Sequence, residues 1–364
     1  MAGPQPRAGI LDIEAYVGGK AASERGSPVA KLSANESPLG PSPAAIDAYG
    51  RCAGELHRYP DGGSTKLREA LARMAGIEVA RIVCGAGSDE LISLLIQAYA
   101  GPGDEVLHSA HGFLMYRISA LAAGARPVAA PETALTTSVD AVLERVTPRT
   151  RLVFLANPNN PTGTYLPAAA IERLHAALPD DVLLVLDAAY TEYVDRPDYA
   201  AGYALARDAG NVVVLRTFSK IMGLAALRLG WAYAPRSVTD VLDRVRGPFN
   251  VAAPAQAAGI AAVGDPDHLA AAKTHNDRWR PWLEQRIREL GYDVPESVAN
   301  FVLIRCADAT AARAVLGRLE TSGVLARGMA AYGLADAVRL SVGLEAENRR
   351  ALAALGGGAS EAVA

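Results

Sequence analysis

The chain has 364 residues, of which 50% are hydrophobic and 21% charged, and its basic and acidic side chains nearly cancel to a formal net charge of −3. This composition is typical of a packed globular protein and excludes a disordered chain or a small disulfide-stabilised domain. It leaves no basic excess for binding a nucleic-acid backbone. The length favours a large domain joined to a smaller one.

The cysteines and the amino-terminal segment favour a cytoplasmic protein. The three cysteines are widely spaced, with no CxxC or Cys/His metal spacing, so we expect buried apolar residues in a reducing compartment. The first residues lack a basic stretch followed by an apolar core, which argues against a signal peptide. The charge-free stretch 247–264 contains prolines and polar residues, so we expect a buried helix after a loop. We therefore expect no metal, nucleic-acid or membrane partner.

Short apolar runs alternate with amphipathic helical stretches through the middle of the chain. Continuous apolar runs are typical of strands that are covered on both faces, so the pattern predicts a mostly parallel sheet with helices on both sides. Ser88 is expected to cap the helix that follows the first of these strands. The predicted strands are 81–85, 104–109, 151–156, 182–187, 211–216 and 229–234.

The pattern changes near residue 247, where a long helical region, 276–291, precedes a strand at 301–306, a helix and a last strand at 337–343. Pro281 is expected to kink or restart the long helix. This order predicts a second, smaller α+β domain. The predicted division is an arm over 1–39 that packs on the small domain or a partner subunit, a large domain over 40–247, a small domain over 248–354 and a disordered tail over 355–364.

The first chemical signal is the turn GAGSDE, which joins a predicted strand to a helix. Such a turn offers backbone N–H groups and a positive helix end to a phosphate. A dinucleotide fingerprint is disfavoured, because Glu90 occupies the third glycine position and Asp104 begins the next strand rather than ending one. An ordinary helix cap stays open as an alternative for this motif taken alone.

Two further signals follow predicted strands. The turn NPNNPTG comes directly after the strand 151–156 and would aim the Asn160 amide into the crevice where ligands of open α/β sheets bind. Asp187 ends a run of apolar residues, where an unpaired carboxylate is costly. It either caps the next helix or faces a protonated ring nitrogen. Tyr190 follows three residues later and could contact the same ligand.

The most specific signal surrounds Lys220, one of only five lysines in the chain. It follows a buried strand and precedes the apolar segment IMGLAAL, so desolvation and a nearby cation would lower its pKa and make the amine nucleophilic. Thr217, Ser219 and Arg228 together form a phosphate site. A surface lysine with a buried stem is the alternative. A phosphate, a ring nitrogen, a phenolic oxygen and a carbonyl that bonds to lysine are all present in pyridoxal 5'-phosphate.

The segments KLSANESPLGPSP, RYPDGGSTKLREALA, ANPNNPTGTYLP, LRTFSKIMGLAALRLGWAY and RGMAAYGLADAVRLSVGLEAEN resemble the fold-type I aminotransferases. Within them the resemblance is to the histidinol-phosphate aminotransferases, and it runs from about Gly9 to Asn348. It implies an α/β fold, a large domain whose mostly parallel central sheet is flanked by helices, and a smaller α+β domain. It also implies a homodimer with bound pyridoxal 5'-phosphate.

The implied reaction is amino transfer in histidine biosynthesis, with histidinol phosphate, glutamate and 2-oxoglutarate as substrates. An aromatic amino acid aminotransferase is an alternative, and a phosphothreonine-type decarboxylase on the same fold is a second. A PLP domain fused to a DNA-binding regulator would need an added basic helix-turn-helix, and no such segment precedes the arm.

The resemblance also implies a role for individual residues. Lys220 would bond covalently to the cofactor and then carry the proton. Asp187 would keep the ring nitrogen protonated, Tyr190 and Asn160 would bond the ring 3-oxygen, and Tyr116 would stack on the ring. The phosphate ligands would be Thr217, Ser219, Arg228, the backbone of Gly87 and Ser88, and Tyr59 of the partner subunit. The substrate ligands would be Arg339, Arg327, Asn160 and, from the arm, Tyr16 and Asn35.

Overall fold

A seven-stranded sheet forms the centre of the computed structural model, which describes residues 4–7, 9–19 and 30–357. Its strands run parallel to one another except β10, which is antiparallel to both neighbours. From one edge to the other the strands are β2 (Ile82–Gly85), β10 (Gly230–Tyr233), β9 (Val212–Thr217), β8 (Leu183–Asp187), β7 (Thr150–Ala156), β3 (Glu105–Ser109) and β4 (Arg126–Ala130).

All the strands predicted for this region are present, and β4 is an additional one. Its sequence RPVAA holds only one strongly apolar residue and much of it is solvent-accessible, because β4 is an edge strand. An edge strand needs no continuous apolar run, so the pattern used for prediction misses it.

Helices cover both faces of the sheet. Alternate residues of one strand pack into different cores: in β8, Leu184 and Leu186 join one cluster, whereas Leu183 and Val185 join the other. This double burial explains the continuous apolar runs in the sequence. The helices of this part of the chain are α1 (Pro43–Arg51), α2 (Thr65–Ala75), α3 (Ser88–Tyr99), α4 (Leu114–Ala123), α5 (Val139–Leu143), α6 (Ala168–Ala177), α7 (Tyr203–Asp208), α8 (Arg236–Val245) and α9 (Ala253–Val263).

The start of α3 corrects one expectation. Gly87, with a φ of 85°, occupies the cap position, and Ser88 is the first helical residue rather than the cap. The Glu90 side chain, on the third residue of the helix, accepts a hydrogen bond from the Ala86 N–H at 2.6 Å. Glu90 therefore organises the turn that a capping serine was expected to organise.

The carboxyl-terminal part of the chain builds a second, smaller layer of strands and helices. Its three-stranded antiparallel sheet has the order β11 (Phe301–Arg305), β14 (Leu334–Ser341) and β13 (Arg327–Met329). The helices are α10 (Pro266–Glu289), α11 (Ala309–Thr321) and α12 (Glu345–Leu355). The short pairs are β1 (Ala30–Lys31) with β12 (Val324–Leu325), and β5 (Glu132–Thr133) with β6 (Thr136–Thr137).

Helix α10 corrects the expectation of an interruption at Pro281, since it runs without a break through this residue for 24 residues. Its Ala272 belongs to the core under the seven-stranded sheet, whereas Trp279 and Leu283 belong to the core of the smaller layer. Helix α9 packs on α1 and α2, with the large sheet. We therefore propose that the division between the domains falls within α10, later than the predicted residue 247.

The arm reaches the smaller layer through β1, which pairs with β12. Residues 1–3, 8 and 20–29 of the predicted arm and 358–364 of the predicted tail lie outside the described residues. Leu355, assigned to the tail, is instead the buried last residue of α12, and disorder beyond residue 357 stays a prediction. Among the described helices, none combines the length and the apolar character needed to cross a bilayer.

Candidate active site

A cavity of about 330 Å³ lies where β2, β7, β8 and β9 end. The carboxyl ends of parallel strands meet at one edge of a sheet, so residues that are distant in sequence converge there. Among the predicted site residues, those that line the cavity are Tyr16, Asn35, Ser88, Asn160, Asp187, Tyr190, Thr217, Ser219, Lys220, Arg228, Arg327 and Arg339.

Asp187, the last residue of β8, is a buried carboxylate with one oxygen unpaired. Its Oδ2 accepts a hydrogen bond from the Tyr116 hydroxyl at 2.7 Å, whereas Oδ1 has no partner among the described residues. Burial raises the pKa of Asp187 to about 6, and the Tyr116 hydrogen bond opposes that rise. A buried unpaired acceptor is costly unless a donor occupies the space beside it. Because Asp187 lines the cavity, its carboxylate suits a ligand that offers a cationic N–H.

The position of Tyr116 corrects the expectation that this residue stacks on a bound ring. Tyr116 is fully buried in α4, its ring packs on Phe154 with centroids 4.7 Å apart, and it does not line the cavity. Phe113 lines the cavity instead. Tyr116 acts behind Asp187, as the donor that holds the carboxylate, and Phe113 is the aromatic residue available to a ring.

Lys220 faces the same cavity from the loop after β9. Its Nζ lies 3.4 Å from the Ala34 carbonyl oxygen and 5.6 Å from the centre of the Tyr190 ring. Removal of the ammonium from water, together with the positive charge of Arg339, lowers the pKa of Lys220 to about 8. An appreciable fraction of the amine is therefore neutral, and nucleophilic, near neutral pH.

One end of the cavity is built to hold an anion. Arg228 donates from Nη1 to Ser219 Oγ at 3.2 Å and from Nη2 to Asp89 Oδ2 at 3.1 Å, and Thr217 Oγ1 accepts from the Ser219 N–H at 3.1 Å. The amino terminus of α3 begins beside them, where backbone N–H groups have no intrahelical partner. Gly87 packs directly against the Arg228 guanidinium, and a Cβ at Gly87 would overlap it.

Asn35 and Tyr190 meet at the wall of the same cavity. The Tyr190 hydroxyl accepts a hydrogen bond from Asn35 Nδ2 at 2.9 Å, and burial raises the pKa of Tyr190 to about 12. Asn160 Oδ1 accepts a hydrogen bond from Arg339 Nη1. The Tyr190 phenol and the Asn160 amide are thus neutral hydrogen-bonding groups whose orientations at the cavity wall are fixed by these bonds.

Arg339 and Arg327 are two further cationic side chains in the lining of the cavity. They stand directly across from each other in β14 and β13. Arg339 is 2% exposed, donates from Nη2 to the Ser33 carbonyl oxygen at 3.0 Å, and has its pKa lowered by burial. Arg327 donates to the Tyr16 hydroxyl and to the Val17 carbonyl oxygen, each at 2.9 Å. The arm and the smaller layer thus bring two guanidinium groups to the cavity, an arrangement that could bind an anion.

Tyr59 lies apart from this cavity. It is 83% exposed and stacks on Phe249 with ring centroids 4.6 Å apart, in a separate surface groove. Its role toward a phosphate of the partner subunit stays a prediction.

Three residues that line the cavity were not predicted from the sequence: the carboxylates Glu36 and Asp89, and the aromatic Phe113. Glu36 and Asp89 sit inside segments that were singled out, next to Asn35 and Ser88, but a charged residue in a loop is more often solvated. Phe113 lies three residues before Tyr116, and the sequence offers no signal for which of the two faces a ligand.

The family model of aminotransferase class I and II matches residues 27–355. The chain belongs to the aminotransferase class I and II family. It is 55% identical over 360 residues to a histidinol-phosphate aminotransferase of Paramagnetospirillum magneticum, covering 98% of each chain. It is 54% identical over 358 residues to one of Rhodospirillum centenum, covering 98% of this chain and 99% of that one.

A solved structure supports the same assignment. The crystal structure of histidinol-phosphate aminotransferase from Sinorhizobium meliloti, in complex with pyridoxal-5'-phosphate, matches with a TM-score of 0.91 and 32% identity over 98% of each chain. The predicted fold class and the predicted resemblance are therefore confirmed.

Proposed function

We propose that this aminotransferase uses pyridoxal 5'-phosphate to move the amino group of histidinol phosphate to 2-oxoglutarate, in histidine biosynthesis. The observation that carries the proposal is one cavity whose lining brings together Lys220, Arg327, Arg339 and Asp187, a buried carboxylate with one unpaired oxygen. Curated relatives at 50–55% identity bear the name of this activity.

The residues of the cavity fit the cofactor. Asp187 Oδ1 would accept the ring N–H, Lys220 would bond covalently, and Tyr190 and Asn160 would bond the ring 3-oxygen. The phosphate would lie at the anion end described above, on Thr217, Ser219, Arg228 and the start of α3. When bound, pyridoxal phosphate supplies an aldehyde that bonds to amines and a ring that takes up electron density.

The side chains of the chain itself then bind the substrate and move its proton. Arg339 and Arg327 bind the anionic group of the substrate, because a guanidinium can donate paired hydrogen bonds to either a phosphate or a carboxylate. Lys220 Nζ takes the proton from the amine-bearing carbon of the substrate, a role that suits an amine with a pKa of about 8. Asp187 would accept the N–H of the cofactor's ring and, when ionised, would stabilise a positive charge on that nitrogen.

The arginine pair explains how histidinol phosphate and glutamate use one site in turn. Their phosphate and carboxylate groups are both anions that a guanidinium binds with paired hydrogen bonds. We further propose a homodimer, in which Tyr59 of the partner subunit completes the phosphate site. The cytoplasmic location stays a prediction from the sequence.

A substrate panel tests the proposal. The holoprotein is incubated with 2-oxoglutarate and, separately, histidinol phosphate, phenylalanine, tyrosine or a phosphoamino acid, and glutamate is measured. We expect the largest kcat/KM with histidinol phosphate. A larger kcat/KM with phenylalanine or tyrosine would indicate an aromatic aminotransferase. Release of carbon dioxide without formation of glutamate would indicate a decarboxylase.

A further inference from the structure

Among the described residues, the carboxylates that line the cavity are Asp187, Asp89 and Glu36. Two of them bond to side chains of the site itself: Asp187 accepts a hydrogen bond from the Tyr116 hydroxyl, and Asp89 pairs with Arg228 at the anion end. Glu36 pairs instead with Lys31, which does not line the cavity. A negative charge beside a site that binds anionic substrates needs a reason, because like charges repel.

The backbone beside Glu36 is held rigidly. Asn35 has a left-handed φ of 56°, and its N–H and Oδ1 both bond to Ser341 Oγ, at 2.8 and 3.0 Å. Its carbonyl oxygen accepts a hydrogen bond from Asn300 Nδ2 at 3.0 Å. The position of residue 36 relative to Tyr190, which Asn35 also contacts, is therefore set by buried contacts rather than by a free loop.

The Glu36 carboxylate is only partly engaged. Lys31 Nζ donates to Oε1 at 2.7 Å, and no described residue donates to Oε2. Both side chains of this pair are more than a third exposed, so the pair contributes at most about 1 kcal/mol. Glu36 and Lys220 line the same cavity. The carboxylate is therefore part of the cavity lining and has one oxygen available to a ligand.

We propose that Glu36 recognises the imidazole ring of histidinol phosphate; this inference rests on the proposed function. Arg339 and Arg327 take the phosphate, so the ring is the remaining substituent on the amine-bearing carbon. An imidazole offers an N–H donor and, when protonated, a positive charge, and both favour a carboxylate. Glutamate offers only negative groups besides its amine. Glu36 thus favours the imidazole substrate over a phenyl one and contributes nothing to glutamate.

The test is a comparison of two donors in two variants. The donors are histidinol phosphate and its phenyl counterpart, 2-amino-3-phenylpropyl phosphate, which keeps the phosphate and lacks the ring N–H. In Glu36→Gln we expect the preference for the imidazole donor, as a ratio of kcat/KM values, to fall by about 10- to 100-fold. The KM for glutamate should stay the same or decrease, which also shows that the variant is folded and loaded.

Lys31→Met is the matched control, because it breaks the same ion pair and leaves the Glu36 carboxylate in place. It should keep the imidazole preference. Equal losses with both donors in Glu36→Gln, no loss with either donor, or loss of the preference in Lys31→Met would overturn the assignment. If the wild-type protein does not use histidinol phosphate, the proposed function fails as well, and that result is visible before any variant is made.

Discussion

Replacement of Tyr116 by phenylalanine tests how the Asp187 carboxylate is kept ionised. The Tyr116 hydroxyl donates to Asp187 Oδ2 at 2.7 Å in a fully buried setting, where water cannot replace it. Burial already raises the pKa of Asp187 to about 6, and this hydrogen bond is the largest influence that opposes the rise. Tyr116→Phe removes it and leaves the volume of the side chain nearly unchanged.

The size of the effect follows from the charge of the acceptor. A hydrogen bond to a charged group contributes about 1.5–3 kcal/mol, and one pKa unit corresponds to about 1.4 kcal/mol. The pKa of Asp187 in the apoprotein should therefore rise by about one to two further pH units. The wild-type carboxylate is mostly ionised at pH 7, so cofactor affinity weakens as the pH falls through about 6. In Tyr116→Phe the same loss should begin at correspondingly higher pH.

The assay is the affinity of the apoprotein for pyridoxal phosphate, measured by titration from pH 5 to 9 in both proteins. The cofactor's own ionisations are common to both curves, so their difference reports on Asp187. We expect affinity near pH 7 to fall by about two- to tenfold, with convergence at high pH. Tyr193→Phe is the control, since its buried hydroxyl bonds Asn300 instead. A uniform loss at every pH, or the same curve in Tyr193→Phe, would refute the reasoning.

Three other substitutions test the rest of the site. Lys220→Ala should abolish amino transfer, and borohydride reduction of the wild-type holoprotein should label Lys220; label on another of the five lysines would place the covalent bond elsewhere. Arg339→Lys keeps the charge but loses the paired hydrogen bonds, so the KM for glutamate should rise about 10- to 100-fold with a smaller change in kcat, whereas a change in kcat alone would contradict a binding role. Tyr59→Phe chains mixed with Lys220→Ala chains should form hybrid dimers with one intact site and wild-type cofactor affinity; hybrids as weak as Tyr59→Phe itself would place Tyr59 at its own subunit's site.

Residues at the ends of buried strands could be predicted because two signals coincide there. One apolar run ends in Asp187, and another leads into the segment that carries Lys220. Each run indicates a strand that is covered on both faces, and burial of a polar group at its end is energetically costly unless the group has a partner. The topology of a parallel sheet then brings those ends to one edge. Nothing beyond the apolar pattern and the chemistry of the last residue was needed for that prediction.

The remaining features depend on local geometry that the pattern does not carry. Phe113 caps α4 and faces the cavity, whereas Tyr116 lies within its first turn and points into the core. Only the direction in which α4 leaves the sheet decides between the two aromatic residues. The position of Glu36 follows from the left-handed backbone at Asn35, whose N–H bonds to Ser341. The conformational propensity of asparagine does not predict a contact with a residue so distant in the sequence.

The pairing of β13 with β14 fixes where two arginines of the cavity leave the backbone. Arg327 and Arg339 are directly opposed across the two strands, so backbone hydrogen bonds between the strands set the separation of their Cα atoms. A change of one residue in the turn that joins these strands would shift that pairing and carry one arginine to the other side of the sheet. The length of this hairpin therefore decides whether both guanidinium groups can reach the same anionic group, as the proposed function requires.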